Sequence, residues 1–156
     1  MSTIGLDVFE RSAQATHIWL NEITEQIGPD RKLAWHVLSV VLRVLRDRLQ
    51  PEDAAHLAAQ LPLFVRGAFY DQYRPSQQPL ALRTQDEFVQ RIQDTLGNVR
   101  PVNPAAAAKA VFAVLQHHLD PGEIAKVRHA LPEGIRALWP AQKSAGDVTE
   151  ERRLRH

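Results

Sequence analysis

An internal repeat at a spacing of 70 residues constrains the fold of this chain more than any other feature of its sequence. The segment 49–69 aligns with the segment 119–139 without a gap, and prolines and leucines recur at corresponding positions. Such a period indicates a structural unit that is present more than once. The sequence therefore predicts two related units, at about 7–72 and 84–140, joined by a connector at 73–83. The identical pairs are Leu49 and Leu119, Pro51 and Pro121, Ala55 and Ala125, Leu61 and Leu131, Pro62 and Pro132, and Arg66 and Arg136.

Apolar residues recur at helical spacing in both units. Pro29, Pro62 and Pro132 mark breaks between helices, because proline lacks the amide proton that a continuing helix needs. The second helix, at about 30–49, is apolar nearly all round and is predicted to be the most buried. No alternating strand pattern extends beyond a few residues. We therefore expect an all-α fold of about eight helices, arranged as two duplicated four-helix units packed around a pseudo-two-fold axis.

The length of the units predicts how many domains they form. A unit of about 70 residues buries too small a fraction of its own surface to be stable by itself. The two units of this 156-residue chain are therefore expected to share one core. This predicts a single helical domain at 1–140, followed by a polar and flexible tail at 141–156.

The composition excludes several classes of protein. The 19 Lys and Arg residues nearly cancel the 18 Asp and Glu residues, which argues against nucleic acid as a partner. The absence of cysteine removes disulfides and cysteine-ligated metal sites. No segment has the roughly 18 consecutive apolar residues of a transmembrane helix, and the N-terminus lacks the regions of a signal peptide. We expect a cytoplasmic protein with no membrane-spanning segment.

Arginine is the residue type that most suggests binding, since the chain has 15 Arg and 4 Lys. Arg43 and Arg46 lie one turn apart on the second predicted helix, and guanidinium groups favour the planar oxygens of carboxylates and phosphates. Tyr70 and Tyr73 follow at the end of the fourth helix and in the connector. These four residues are candidate binding residues, although Asp47, four residues after Arg43, favours a solvated and salt-bridged face for the two arginines.

Arg66 and Arg136 occupy corresponding positions after the two Leu-Pro breaks. An acidic residue precedes each of them by thirteen positions, near the start of the preceding helix. This spacing favours two structural ion pairs, Asp53 with Arg66 and Glu123 with Arg136. Each pair would stabilise a corner, the turn between two helices at a Leu-Pro break. The alternative is that the two arginines bind an anion.

Seven histidines raise the question of a metal site, and His117 and His118 form the main local cluster. Adjacent residues of a helix point about 100° apart, so this pair is predicted to be a polar helix end favoured by the helix dipole. A glycine-rich phosphate loop, a nucleophile elbow and an HExxH motif are absent from the sequence. We therefore expect no metal, no cofactor and no catalytic residue, and do not expect an enzyme.

The fourth helix is more apolar than one helix can bury on a single face. Leu63, Phe64, Phe69 and Tyr70 all lie within it. This composition does not suit the recognition helix of a helix-turn-helix, which needs polar residues that reach base edges. The surplus apolar residues are expected either to fill the seam between the units or to form a patch for a protein partner or a second copy of the chain.

Several segments carry a family resemblance. They are the run 45–49, the stretch 51–62 with its Ala-Gln-Leu-Pro ending, Arg66-Gly67, the Tyr73-x-Pro75 connector and the stretch 121–132. On these segments the chain resembles the bacterial domain of unknown function family 2267 from about residue 7 to residue 140. The resemblance implies a helical bacterial protein and brings no established activity.

These observations favour a non-catalytic protein-interaction or structural module whose partner is another protein or a second copy of the chain. The alternative is a small-ligand or nucleic-acid-binding regulator. It would use the arginine-rich second helix, with Arg43 and Arg46, and a cleft between the two units.

Overall fold

The computed structural model describes residues 3–97 and 102–141, with side chains from residue 7 onward. Within these ranges it contains eight α-helices, one short 3-10 helix and no strand, which confirms the predicted all-α class. No described helix is both long enough and apolar enough to cross a membrane. The predicted tail lies outside the described residues from 142 onward. The helices are α1 (Thr3–Ile27), α2 (Arg31–Arg48), α3 (Pro51–Ala59), α4 (Leu63–Tyr70), α5 (Gln85–Leu96), α6 (Pro104–His118), α7 (Pro121–Ala130) and α8 (Glu133–Arg136), with the 3-10 helix at Pro75–Gln77.

Polar side chains fix where several helices begin. Asp30 accepts hydrogen bonds from the backbone amides of Lys32 and Leu33 at the start of α2. The hydroxyl of Thr84 accepts from the Glu87 amide at 3.1 Å and donates to the Glu87 carboxylate at 3.2 Å, so Thr84 caps the start of α5. These contacts satisfy amides that have no acceptor within their own helix.

One hydrophobic cluster contains residues from all eight helices. α2 has ten buried residues, more than any other described helix, although Trp35 is 36% exposed and shows that one side of α2 faces solvent. In the second half of the chain, the ring of Phe112 packs between Phe88 and Trp139, with centroids 6.0 and 4.2 Å away. The core is therefore continuous from the first helix to the last.

Helices from the two predicted units are interleaved in space. α1 packs against α2 and also against α6, while α5 packs against α6 and also against α2. α2 and α6 contact each other, and α3 contacts α7. The first helix of each predicted unit thus covers the second helix of both units, so neither unit has its apolar surface covered by its own helices alone.

Candidate functional site

A cleft opens between α2, the connector that follows α4, and α5. Its volume is about 460 Å³, which accommodates a small organic molecule. Because α2 belongs to the first predicted unit and α5 to the second, the cleft lies where the alternative functional hypothesis placed a binding site. Four arginines and one aspartate contribute to its wall. The lining residues are Arg43, Val44, Arg46, Asp47, Gln72, Tyr73, Arg74, Gln77, Leu80, Arg91 and Thr95.

Arg46 forms the buried part of the cleft wall, and its residue is only 2% exposed. Its Nη1 donates to the carbonyl oxygens of Phe69 and Asp71 at 2.7 and 2.8 Å, where α4 ends. Its Nε donates to the carboxylate of Asp47 at 2.8 Å. Carbonyls at the end of a helix have no donor within that helix. The charge of Arg46 therefore stabilises the end of α4.

Arg43 contacts the same end of α4 from one turn earlier on α2. Its Nε donates to the carbonyl oxygen of Ala68 at 3.1 Å, and its Nη2 forms a salt bridge with Asp71 at 3.0 Å. A cation near the C-terminus of a helix also interacts favourably with the helix dipole. Arg43 and Arg46, both candidate binding residues from the sequence, thus have structural partners inside the protein.

The connector is held against the C-terminal end of α2. The side-chain amide of Gln78 donates to the carbonyl oxygens of Arg46 and Leu49 at 2.6 and 2.7 Å. The hydroxyl of Tyr73 donates to the side-chain oxygen of Gln78, and the guanidinium of Arg46 lies 4.9 Å from the centre of the Tyr73 ring. The amide of Leu80 donates to the Asp47 carbonyl at 2.7 Å. These contacts fix the connector wall of the cleft.

Two other lining arginines have no such partners. Arg74, in the connector, and Arg91, on α5, are both exposed. Within residues 3–97 and 102–141, neither guanidinium forms a hydrogen bond or a salt bridge. Asp47, the acidic residue of the lining, is already bound to Arg46. The cleft therefore carries positive charge that its own residues do not neutralise.

The two candidate tyrosines have different positions. Tyr73 lines the cleft, and Tyr70 lies beside it without lining it. The Tyr70 ring packs edge-on against Phe69 and Tyr73, with centroid distances of 5.2 and 5.9 Å. Tyr70 therefore packs against Tyr73 without lining the cleft itself. It is 39% exposed, so part of the residue lies at the protein surface.

Arg66 closes the first Leu-Pro corner. Its Nε donates to the carbonyl oxygen of Ala58 at 2.8 Å, and its Nη2 donates to those of Ala59 and Leu61 at 3.1 and 2.9 Å. These carbonyls lie at or just after the end of α3, where Pro62 has no amide proton to donate to the Ala58 carbonyl. The guanidinium supplies side-chain donors to all three carbonyls.

Arg136 closes the second corner with the same pattern of contacts. Its Nε donates to the carbonyl oxygen of Arg128 at 2.9 Å, and its Nη2 donates to that of Leu131 at 3.0 Å. Burial, and then the positive charge of Arg136, hold the pKa of Arg128 below its ordinary value. Arg136 is thus engaged by the backbone, as Arg66 is.

The predicted acid partners of these arginines do not take part in the corners. Among the described residues, the salt bridges include neither Asp53 with Arg66 nor Glu123 with Arg136. The backbone amide of Glu123 instead donates to the Asp120 side chain at the start of α7. At each corner the guanidinium bonds backbone carbonyls that lie five and eight residues earlier in the chain, whereas the acid lies thirteen residues earlier. These hydrogen bonds take the place of the predicted ion pairs.

A second polar cluster joins α1 to the end of α6. The carboxylate of Glu22 accepts a hydrogen bond from Nδ1 of His117 at 2.7 Å and another from Nε2 of His118. Burial by itself would raise the pKa of Glu22, but the hydrogen bonds and positive charge of the two histidines outweigh burial and lower it. The expectation that the two adjacent rings point apart is therefore wrong for these atoms.

Sequence reasoning identified some residues of these sites and missed others. Arg74 and Arg91 were not singled out, because neither belongs to a local pattern of basic residues. Glu22 was missed as well, since it lies 95 positions before His117. The signal that was missing is the pairing of α1 with α6, which brings distant polar residues to one helix interface.

Part of the apolar surplus of α4 remains at the surface. Leu63 and Phe64 are 47% and 41% exposed, and Phe9 on α1 is 59% exposed. The Phe64 amide donates to the hydroxyl of Ser12 at 3.1 Å, so α1 and α4 meet beside these side chains. Phe69, by contrast, is fully buried. The seam between the helices therefore takes only some of the apolar residues of this region.

Comparison with known proteins identifies relatives over most of the chain. The family described as "Uncharacterized conserved protein (DUF2267)" matches residues 16–138. Two curated proteins named "D-galactonate dehydratase family member", from Streptomyces sp. strains SPB074 and SPB78, are each 30% identical to the chain over 129 residues. These matches cover 78% of the chain and 29% of each relative. The chain thus spans less than a third of the length of these two relatives.

Proposed function

The chain belongs to the DUF2267 family, and we propose that it is a non-catalytic helical module that binds a small anion in the cleft between α2 and α5. The observation that carries the proposal is the pair of exposed guanidinium groups, Arg74 and Arg91, that have no partner among the described residues. They face a cavity of about 460 Å³.

The four arginines of the cleft differ in whether they have partners within the described residues, and this difference supports the proposal. Arg43 and Arg46 hold the end of α4, so their charges are already partly offset by Asp71 and Asp47. The wall that they stabilise is therefore preorganised, and a ligand does not have to order it on binding. Arg91 approaches from the opposite side, on α5. An anion between the two walls would receive charge-assisted hydrogen bonds from groups on separate elements.

The remaining lining residues define the class of ligand. Guanidinium groups bind carboxylates and phosphates through two parallel hydrogen bonds. Thr95, Gln72 and Gln77 add a hydroxyl and two amides, which suit the hydroxyl groups of a sugar or of a similar polar molecule. The two Streptomyces relatives carry the name D-galactonate dehydratase family member. D-galactonate, a hydroxylated carboxylate, is therefore a reasonable probe together with a sugar phosphate and inorganic phosphate.

Calorimetric titration with these three probes tests the proposal. We expect saturable binding of at least one probe, and we expect it to weaken as salt is raised, because exposed charges are screened. Substitution of either Arg74→Ala or Arg91→Ala should weaken binding about tenfold, since each removes a charge-assisted contact worth about 1.4 kcal/mol or more. Arg11→Ala, at an exposed position of α1, is the matched control. Equal affinities for all four proteins, or no binding of any probe, would contradict the proposal.

The two halves of the chain, we also propose, arose by duplication and pack around a pseudo-two-fold axis. Two features support this. Arg66 and Arg136 donate to carbonyls eight and five residues earlier in their respective corners. The contact of α1 with α6 also has a counterpart in the contact of α5 with α2.

The family membership and the two Streptomyces relatives further favour a bacterial protein, which we place in the cytoplasm.

A second candidate function is the binding of a protein partner or a second copy of the chain through the apolar surface at α1 and α4. The exposure of Phe9, Leu63 and Phe64 favours it, because exposed apolar side chains gathered in one area mark interaction sites. Light scattering during size-exclusion chromatography tests the version with a second copy. A dimer that becomes a monomer on Phe64→Ser supports it, and a wild-type monomer at high concentration rules that version out.

A further inference from the structure

The cluster of Glu22, His117 and His118 contains a set of donor atoms that neither the anion proposal nor the core requires. Glu22 lies on α1, and the two histidines end α6. One carboxylate oxygen of Glu22 and one ring nitrogen from each of His117 and His118 all lie within 4.8 Å of one another. Three ligand atoms from two different helices are therefore gathered on one side of the α1–α6 interface.

The two imidazoles converge because they present different nitrogen atoms. His117 uses Nδ1, which is close to its backbone, and His118 uses Nε2, which is at the far edge of its ring. The difference in reach offsets the angle of about 100° between adjacent side chains of a helix. The ring of His118 also stacks on Trp19 at a centroid distance of 5.5 Å, which holds the plane of the ring.

The chemistry of these three groups selects one class of metal ion. Imidazole nitrogens favour Zn²⁺ and related transition metals, whereas Mg²⁺ and Ca²⁺ favour sites made entirely of oxygen. Two histidines and one glutamate also form the protein ligand set of some zinc enzymes, in which a fourth position stays open. The side chain of His117 is 67% exposed, so an ion could reach the cluster from solvent.

The present distances are those of hydrogen bonds, and a bound ion would replace the protons that now lie between the groups. Ligand atoms around a tetrahedral zinc ion lie about 3.4 Å apart. The 2.7 Å separation between Glu22 and His117 would have to increase by less than 1 Å. Rotation of the His117 side chain, which is 67% exposed, accommodates a shift of this size, and the helices need not separate.

We propose that Glu22, His117 and His118 form a binding site for Zn²⁺ that joins α1 to the C-terminal end of α6. The ion would have three protein ligands and one position open to water or to an external ligand. The site is separate from the arginine cleft, whose lining contains none of the three residues. Its presence or absence therefore leaves the anion proposal unaffected.

Zinc binding by untagged, metal-stripped protein tests this site. In competition with a chromophoric chelator, we expect the wild-type chain to bind one Zn²⁺ ion and to show no comparable uptake of Mg²⁺. Saturating Zn²⁺ should raise the midpoint of thermal unfolding, because the ion binds the folded chain in preference to the unfolded one. Failure of the wild-type protein to take up Zn²⁺ would overturn the proposal.

Matched variants assign the ligands. His117→Asn changes an exposed side chain and should leave the helical circular dichroism signal intact, while it weakens zinc binding at least tenfold. Glu22→Gln and His118→Gln should weaken it to a similar extent. His56→Gln, on the exposed side of α3, should bind zinc as the wild type does. Unchanged affinity in His117→Asn, or an equal loss in His56→Gln, would show that zinc binds elsewhere and would overturn the assignment.

Discussion

Replacement of Arg46 by methionine provides a strict test of how this fold is held together. Methionine retains an apolar stem of similar length but removes the guanidinium. The change leaves the Phe69 and Asp71 carbonyls at the end of α4 without their donors, and it leaves the Asp47 carboxylate without its partner. The hydrogen bond to Phe69 is buried, whereas the other two lie close enough to solvent for water to replace part of the loss.

The magnitude follows from this difference in burial. A hydrogen bond to a charged group contributes about 1.5–3 kcal/mol when it is buried, and we assign about 2 kcal/mol to the bond with Phe69. The other two bonds contribute roughly 0.5 kcal/mol each, because water competes for them. The expected loss in the free energy of unfolding is therefore about 3 kcal/mol. For a chain of this size, it corresponds to a fall of roughly 6–12 °C in the midpoint of thermal unfolding.

Urea unfolding followed by circular dichroism measures this loss. Arg91→Met is the matched control, because it makes the same chemical change at an exposed arginine without a described partner. The control should lie within about 0.5 kcal/mol of the wild type. If Arg46→Met and Arg91→Met unfold at the same urea concentration with equal slopes, the assignment of Arg46 to the support of α4 is refuted.

Three further predictions concern a corner, the core and a helix cap. Arg66→Met should lower the free energy of unfolding by about 2 kcal/mol in urea titrations, because partly exposed carbonyls at the end of α3 lose their donor; an unchanged midpoint would show that water substitutes fully. Phe112→Ala should lower it by about 3–5 kcal/mol, since the ring is fully buried between two aromatic rings, and a loss under 1.5 kcal/mol would argue against a close-packed core there. Asn103→Ala should lower the free energy of unfolding by about 1 kcal/mol, because the Asn103 side chain accepts hydrogen bonds from the amides of Ala105 and Ala106 at the start of α6. Asn103→Asp retains an acceptor and should unfold near the wild-type midpoint.

The positions of the helices could be predicted from sequence because the signals that end a helix are local. Pro62 and Pro132 separate helices in the structure as predicted, and Thr84 caps the start of α5 with its hydroxyl. Each of these signals acts within about one turn of the residue that carries it. The density of apolar residues in α2 likewise predicted the most buried helix, because burial on several faces requires apolar residues on several faces.

The partners of the charged side chains could be predicted much less well. Arg66 and Asp53 have opposite charges at a plausible spacing. The guanidinium of Arg66 nevertheless donates to backbone carbonyls at the corner and not to Asp53. A sequence pattern does not show which backbone carbonyls require a donor. Every residue has a carbonyl, and whether that carbonyl lacks a hydrogen-bond partner depends on the local fold. For the same reason, Arg43 and Arg46 were recognised as a basic pair, while their use at the end of α4 was not foreseen.

Both candidate sites combine residues that are far apart along the chain, so a local sequence pattern does not reveal them. Arg91 reaches the cleft only because α5 packs against α2, and Glu22 reaches His117 only because α1 packs against α6. A single sequence records which faces are apolar, but it does not record which face meets which. The residues that complete each site therefore became evident once the helix contacts were known.

The pairing of α1 with α6 also imposes an order on events during protein synthesis. The apolar side of α1, with Trp19, Leu20 and Ile23, is buried partly by a helix that begins only at Pro104. The ribosome must therefore synthesise α2 to α5, and then α6 itself, after α1 before this surface can be covered. A nascent chain that pauses in the connector displays an unfinished interface, and this makes it a target for chaperones and proteases until translation resumes.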